Sequence, residues 1–297
     1  MRRDTSNNSL SGQIDSNLFL HFCRHLVALC ITFQSLNDEK VPISELKFDA
    51  FPGIIINIRG IFYFLTAGHI LKNLDTELSN DKVLIHNSVL ADTFGPGTIS
   101  PHPIPFDFSN EPKFYIFDKE DGLDFGLIML RSYYVDLLDK HGIAAIFEQN
   151  WIHQSRIDFD DYAMLGLPDE FISAVFKRAD QHLSTLGSVS PTLIQVQKPA
   201  VPPENLKETK FNRFIGQLKS DMPLWSIVGM SGGPIFGINH GPPERYWIVA
   251  IQSVWLETRK IIFGCPLPVL ANLLTDWTDQ ILRTERNEQQ PRKKWQV

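Results

Sequence analysis

Apolar residues fall along this chain in short runs rich in β-branched and aromatic side chains, broken by glycine, proline and charged turns, the pattern of an all-β protein. Asp15-Ser16 caps a short helix over about 17–24, and Leu26–Phe33 is the first strand. A polar loop through 37–47 leads to Gly53–Ile58 and Ile61–Leu65, joined by Arg59-Gly60, a two-residue hairpin signal. One helical turn is expected within 70–80, then a strand over Lys82–Ala91 and a Gly/Pro-rich surface loop over 95–105. Lys113–Phe117 and Phe125–Leu130 read as strands bracketing Asp118–Gly122. Residues 131–160 read as helical or irregular, with Tyr134–Lys140 and Ala144–Gln149 inside them. A second strand set starts at Tyr162–Pro168 and continues at 192–197, 211–218, 224–228, 234–238, 247–253 and Ile261–Phe263. Pro268–Leu282 carries Val269, Leu270, Leu273, Leu274, Trp277 and Ile281 at helical spacing, so it predicts an amphipathic helix. The ends, 1–15 and 284–297, read as a mobile tail and a charged tail carrying Arg292, Lys293 and Lys294.

The 297 residues, 43% of them hydrophobic and 21% charged, describe a folded globular chain. A net charge of −6 gives no general attraction for nucleic acid. Cys23, Cys30 and Cys265 supply neither a disulfide framework nor metal-ligand spacing, and neither metal nor cofactor is expected. The apolar run Leu18–Phe33 is shorter than the ~20 residues a membrane span needs, and Arg24, His21 and His25 interrupt it. The start, Met1–Ser9, is polar, with no small-residue cleavage site behind a clean apolar core, so no secretory signal and no membrane partner are expected.

Candidate chemistry centres on Val228-Gly229-Met230-Ser231-Gly232-Gly233-Pro234. Glycines around a serine allow a tight loop and close approach of a substrate to the main chain. The backbone N–H groups of Gly229 and Ser231 can then converge on the oxyanion of a tetrahedral intermediate. The plainer reading of this stretch is a Gly-rich hairpin between strands. A serine hydroxyl needs a base, and the base an orienting group. His69 ends the apolar run Ile61–Leu65 through Thr66-Ala67-Gly68, and Asp124 stands on the lip of Phe125–Leu130. Asp121 is a near neighbour of Asp124, whereas Ser226 and Ser253 lack the glycine setting of a nucleophile.

These three stretches resemble the motifs of trypsin-like (chymotrypsin-fold) serine peptidases. Thr66-Ala67-Gly68-His69 is similar to that family's Thr-Ala-Ala-His, Leu123-Asp124-Phe125-Gly126-Leu127 to its Asp-hydrophobic-Ala-Leu segment, and Gly229–Pro234 to its Gly-Asp-Ser-Gly-Gly-Pro. The likeness covers about 24–283, and the few cysteines make the chain look like a bacterial-type intracellular, hence cytoplasmic, member. It implies an all-β fold of two packed six-stranded Greek-key barrels in one domain over 16–283. Barrel one would cover about 24–130, a crossover 131–160, barrel two about 161–265, and a closing helix 268–283. It further implies a triad of His69 as base, Asp124 as its orienter and Ser231 as nucleophile, with Gly229 and Ser231 as oxyanion donors.

By the same pattern Trp225 falls in the specificity pocket, Ser253-Val254-Trp255 forms the strand that pairs with substrate, and Trp255 sits at the pocket mouth. Met230 departs from the family's aspartate, so the usual pairing with a freed N-terminal ammonium is missing. Trp225 departs from trypsin's acid, so cleavage is not expected to require Lys or Arg before the scissile bond. The resemblance therefore implies a serine endopeptidase acting on protein or peptide, restrained by a narrow substrate range or by a regulatory protein partner. Stand-alone bacterial relatives often accompany stress or phage-defence components, which implies an effector role of that kind. The rival is a catalytically idle trypsin-fold module used for binding.

Overall fold

In this computed structural model residues 16–79, 81–94, 100, 102–150, 159–179, 182–199, 203, 206–219, 226–242 and 245–289 are described. The tail 1–15, Trp225, and parts of the 95–105 loop, the crossover and the C-terminal tail lie outside them. Runs of Val, Ile, Leu and Phe in the first half form β1 (Leu26–Ser35), β2 (Lys47–Ile58), β3 (Ile61–Thr66), β4 (Val83–Ala91), β5 (Ile104–Pro105), β6 (Lys113–Asp118), β7 (Leu123–Leu130) and β8 (Ile146–Phe147). They make one eight-stranded sheet in the order β5-β4-β1-β2-β3-β7-β6, with β8 pairing parallel to β2. Helix α1 (Ser16–Cys23) precedes β1, α2 (Gly68–Ser79) follows β3, and α3 (Ser132–Lys140) follows β7.

The second half contributes β9 (Asp161–Gly166), β10 (Ile172–Ala179), β11 (His182–Val189), β12 (Thr192–Gln197), β13 (Phe214–Leu218), β14 (Pro234–Asn239), β15 (Arg245–Leu256) and β16 (Ile261–Pro266). Six of these close into a barrel, β12-β13-β16-β15-β14-β9, while β10 and β11 form a separate hairpin. Closure gives each of these six strands a neighbour on both sides, which an open sheet denies its two outer strands. Helix α4 (Leu267–Gln289) runs past the expected end at Leu282, so the charged tail begins later than expected.

A single apolar core holds the two units together. Phe22, Leu26, Ile54, Ile56 and Phe125 of the first unit meet Leu165, Phe236 and Ile251 of the second and Leu270 and Leu274 of α4. Fully burying one such side chain contributes roughly 1.5–3 kcal/mol. Phe22 and Phe236 stack at 4.1 Å between ring centroids. His25 ties the units: its Nδ1–H donates to Ala144 O at 2.8 Å, and its Nε2 accepts the Tyr246 hydroxyl at 2.7 Å. Burial pushes this imidazole down to about 4. The three cysteines are free and buried, and burial pushes each thiol up to about 12.

Other elements also differ from the sequence reading: the strand expected at 224–228 is absent over its described residues 226–228, and the short strands β5 and β8 fall in stretches read as loop and as helical or irregular. The expected single turn in 70–80 is a twelve-residue helix that already contains His69, because Leu71, Leu74 and Leu78 form one apolar stripe against the first sheet. Strand β2 begins at Lys47, inside the expected polar loop, where Phe33↔Lys47 starts its pairing with β1. The hairpin β10–β11 had no counterpart, since a two-stranded ribbon with Val175 and Leu186 exposed shows little apolar alternation.

Candidate active site

Thr66 closes β3 with its hydroxyl donating to Pro52 O at 2.7 Å. Two residues on, Gly68 opens α2 where the chain passes β6 so closely that a Cβ would stand 2.1 Å from Ile116 O. Only glycine fits that approach, and it delivers His69 into the first helical turn. Asp124 is the second residue of β7, whose pairing with β3 (Thr66↔Gly126) puts the two strand ends side by side. Its carboxylate is buried, with 4% of the side chain exposed. One oxygen accepts the His69 backbone N–H at 2.8 Å, and the other lies 2.7 Å from His69 Nδ1. That second oxygen also accepts the Ser253 hydroxyl at 2.6 Å. A carboxylate on Nδ1 keeps the proton there and leaves Nε2 as a base. Asp121, the near neighbour in sequence, instead meets Lys210 at 3.3 Å on the surface.

The serine loop is fixed by its own turns. Met230 N–H donates to Ile227 O at 3.1 Å, and Gly233 N–H to Met230 O at 3.0 Å. Gly232 N–H donates to Gln252 O, and Gln252 N–H to Gly233 O, both at 2.9 Å. Gly229 and Gly232 have φ of 90° and 92°, a region other residues avoid. A Cβ on Gly232 would strike the Thr66 hydroxyl at 2.1 Å, so the serine loop rests on the chain that leads to His69. Met230 is fully buried against Gly166 in the second barrel's core. An aspartate there would face apolar neighbours.

Ser231 is half-buried, and its hydroxyl donates to Ser253 O at 3.3 Å. Ser231, Gly229 and His69 line one cavity of about 1000 Å³. Among the described residues no group accepts from the backbone N–H of Gly229 or Ser231.

Ser253 hydrogen-bonds to Asp124 through its side chain and to Ser231 through its carbonyl. Sequence reasoning placed Ser253 beside substrate and missed its bond to Asp124. A serine followed by Val254-Trp255 gives no sign of a partner 129 residues away. On β15 the pairing with β14 runs only from Pro234↔Ile251 backward, while Val254 and Trp255 pair with β16 on the other side. One edge of Ser253–Trp255 is thus open among the described residues. Val254 is exposed, and half-buried Trp255 packs against the barrel core with Nε1 buried and unpaired among the described residues. Among those residues no three His, Cys, Asp or Glu cluster as metal ligands would. No helix among them is long and apolar enough to cross a membrane.

No family profile matches the sequence, and no curated protein matches it. Solved structures similar to the chain include several proteases. A Glu endopeptidase shares 11% identity at a TM-score of 0.46, covering 89% of this chain and 94% of its own. The protease Anisep from Arthrobacter nicotinovorans shares 13% at 0.41, covering 82% and 90%. The serine endoprotease from Yersinia pestis shares 13% at 0.41, covering 92% and 68%. At such scores the likeness carries no argument, and the chemistry must be read from the side chains.

Proposed function

We propose that this chain is a serine endopeptidase in which Ser231 attacks the scissile carbonyl, His69 takes and returns the proton, and Asp124 orients His69. The observation that carries the reading is the buried Asp124 carboxylate, which holds both the backbone N–H and Nδ1 of His69 in the cavity that also contains Ser231. Attack forms a bond from Ser231 Oγ to the carbonyl carbon, and the hydroxyl proton passes to His69 Nε2. The oxyanion is taken by the backbone N–H groups of Gly229 and Ser231. Collapse expels the amine with the proton from His69, leaving an acyl-enzyme on Ser231 that water hydrolyses. Substrate adds as an extended strand along the open edge of Ser253–Trp255, where main-chain hydrogen bonds supply affinity.

Activity is restrained. The support is Ser231, whose hydroxyl donates to Ser253 O rather than to His69, so substrate or a protein partner must turn it toward the base. A stress or phage-defence effector needs such restraint, and an idle binding module remains the rival. The test is a fluorophosphonate label on the purified chain, mapped by mass spectrometry, beside casein digestion. The adduct is expected on Ser231 and absent in Ser231→Ala, with casein cut slowly or incompletely. An adduct on another serine overturns the assignment, and complete Ser231-dependent digestion of casein overturns the restraint.

A further inference from the structure

Resting on the peptidase reading, we propose that the cavity beside Ser231 receives the substrate residue immediately after the scissile bond and selects a large apolar side chain there. The cavity opens between β1, β2, β4 and α2, with His69, Gly229 and Ser231 on one wall. Its floor is Ile31, Phe33, Phe51, Leu74 and Ile85, residues of the first unit's apolar core. No residue of β15 lines it, so it lies away from the open strand edge assigned to the acyl half of the substrate. His69 hands its proton to the departing nitrogen, so the amine half must lie on His69's side, where the cavity is. Its volume of about 1000 Å³ exceeds one side chain and accommodates a whole aromatic ring.

The charged lining sharpens the choice. Asp49, Glu77 and Asp169 also line the cavity, together with Lys47 and with Lys82, which Asp38 engages. Burial and then the charge of Asp169 hold Asp49 above the usual carboxylate range, Lys47 pulls it back down, and Glu77 adds to the rise. Burial alone lifts Asp169 in the same direction. A substrate carboxylate would meet three acids against Lys47 and Lys82, the latter already paired with Asp38, so acidic residues are disfavoured.

Partitioning of the acyl-enzyme isolates this subsite. Ser231 is acylated with nitrophenyl esters of acetylated amino acids, and glycine, leucine, phenylalanine or glutamate amide is offered in competition with water. The amine nitrogen attacks the ester carbonyl, the C–Oγ bond breaks, and His69 carries the amine's proton to Ser231 Oγ. Phenylalanine and leucine amides should outpace glycine amide roughly 10- to 100-fold, the difference expected for burying such a side chain, with glutamate amide slowest. Leu74→Trp fills the floor and should abolish the preference, read as the ratio of aminolysis to hydrolysis within one sample. Leu74→Ala, the gentler change, should retain the preference and admit tryptophan amide faster. Equal rates for all amides, or an unaltered preference in Leu74→Trp, would overturn the subsite and leave the peptidase reading intact. No Ser231-dependent ester turnover would overturn both.

Discussion

Replacing Asp124 with asparagine tests the proposed mechanism at its most connected atom. Asp124 accepts three hydrogen bonds, from His69 N–H, His69 Nδ1–H and the Ser253 hydroxyl, at 2.8, 2.7 and 2.6 Å. Asparagine can keep its oxygen on the His69 backbone N–H, which preserves the helix start. Its NH₂ then faces Nδ1 and Ser253 Oγ, so Nδ1 becomes an acceptor and the proton moves to Nε2, where it blocks the base. In the serine-protease triad, where this substitution is the reference case, turnover falls ~10⁴-fold with geometry intact. That factor is about 5.5 kcal/mol of activation free energy. Ester and peptide turnover should fall by that order in Asp124→Asn, while urea unfolding moves little, because a satisfied polar group replaces a satisfied carboxylate. Asp121→Asn, which removes only a surface contact with Lys210, is the control and should change turnover less than twofold, on the small worth of exposed ion pairs. A loss under tenfold in folded Asp124→Asn would refute the assignment of Asp124 as orienting group.

Gly229→Ala should lower turnover on the order of 10²–10³-fold, as loss of one oxyanion donor does, with fluorophosphonate labelling slowed in parallel. The added Cβ would lie 2.1 Å from Asp169 Oδ1 and 2.7 Å from Leu167 O, so the loop must shift; labelling at the wild-type rate would contradict this. Met230→Asp buries an acid among apolar barrel residues without a partner, and should destabilise the fold by about 3–5 kcal/mol in urea titration. For His25, burial lowers the imidazole from 6.5 to about 4, with the nearby His21 and Arg24 charges acting the same way. Between those pH values the unfolded chain binds a proton that the folded one refuses, so stability is full above the upper value and lost as pH falls toward the lower. From pH 7 to 4.5 the wild type should lose roughly 2.5 kcal/mol more than His25→Gln; parallel curves would show that His25 does not titrate this way.

Much of this protein is written locally. The runs Leu26–Phe33, Ile61–Leu65 and Phe125–Leu130 appear as β1, β3 and β7, because burial on one or both faces of a sheet demands such runs and neighbouring turns bound them. The amphipathic period of 268–282 likewise marks α4. The serine between glycines, the histidine after an apolar strand and the aspartate at a strand lip are also visible as residue types in order. The sequence even contains Gly68, but not the reason for it, which is the carbonyl of Ile116 approaching from β6.

Everything that depends on two distant segments meeting was decided by tertiary structure. Asp124 rather than Asp121 faces His69 because the β3–β7 register aligns Thr66 with Gly126; a turn residue three positions earlier is carried out to Lys210. The bond from Ser253 to Asp124 spans the two units and follows from their shared core. The same holds for the cavity at Ser231, whose walls come from β1, β2, β4, α2, Asp169, the start of β10 and the serine loop. Periodicity along a chain reports only which face of an element is buried. Which atoms then touch depends on strand register and on how one core closes against another, and those are properties of the assembled fold.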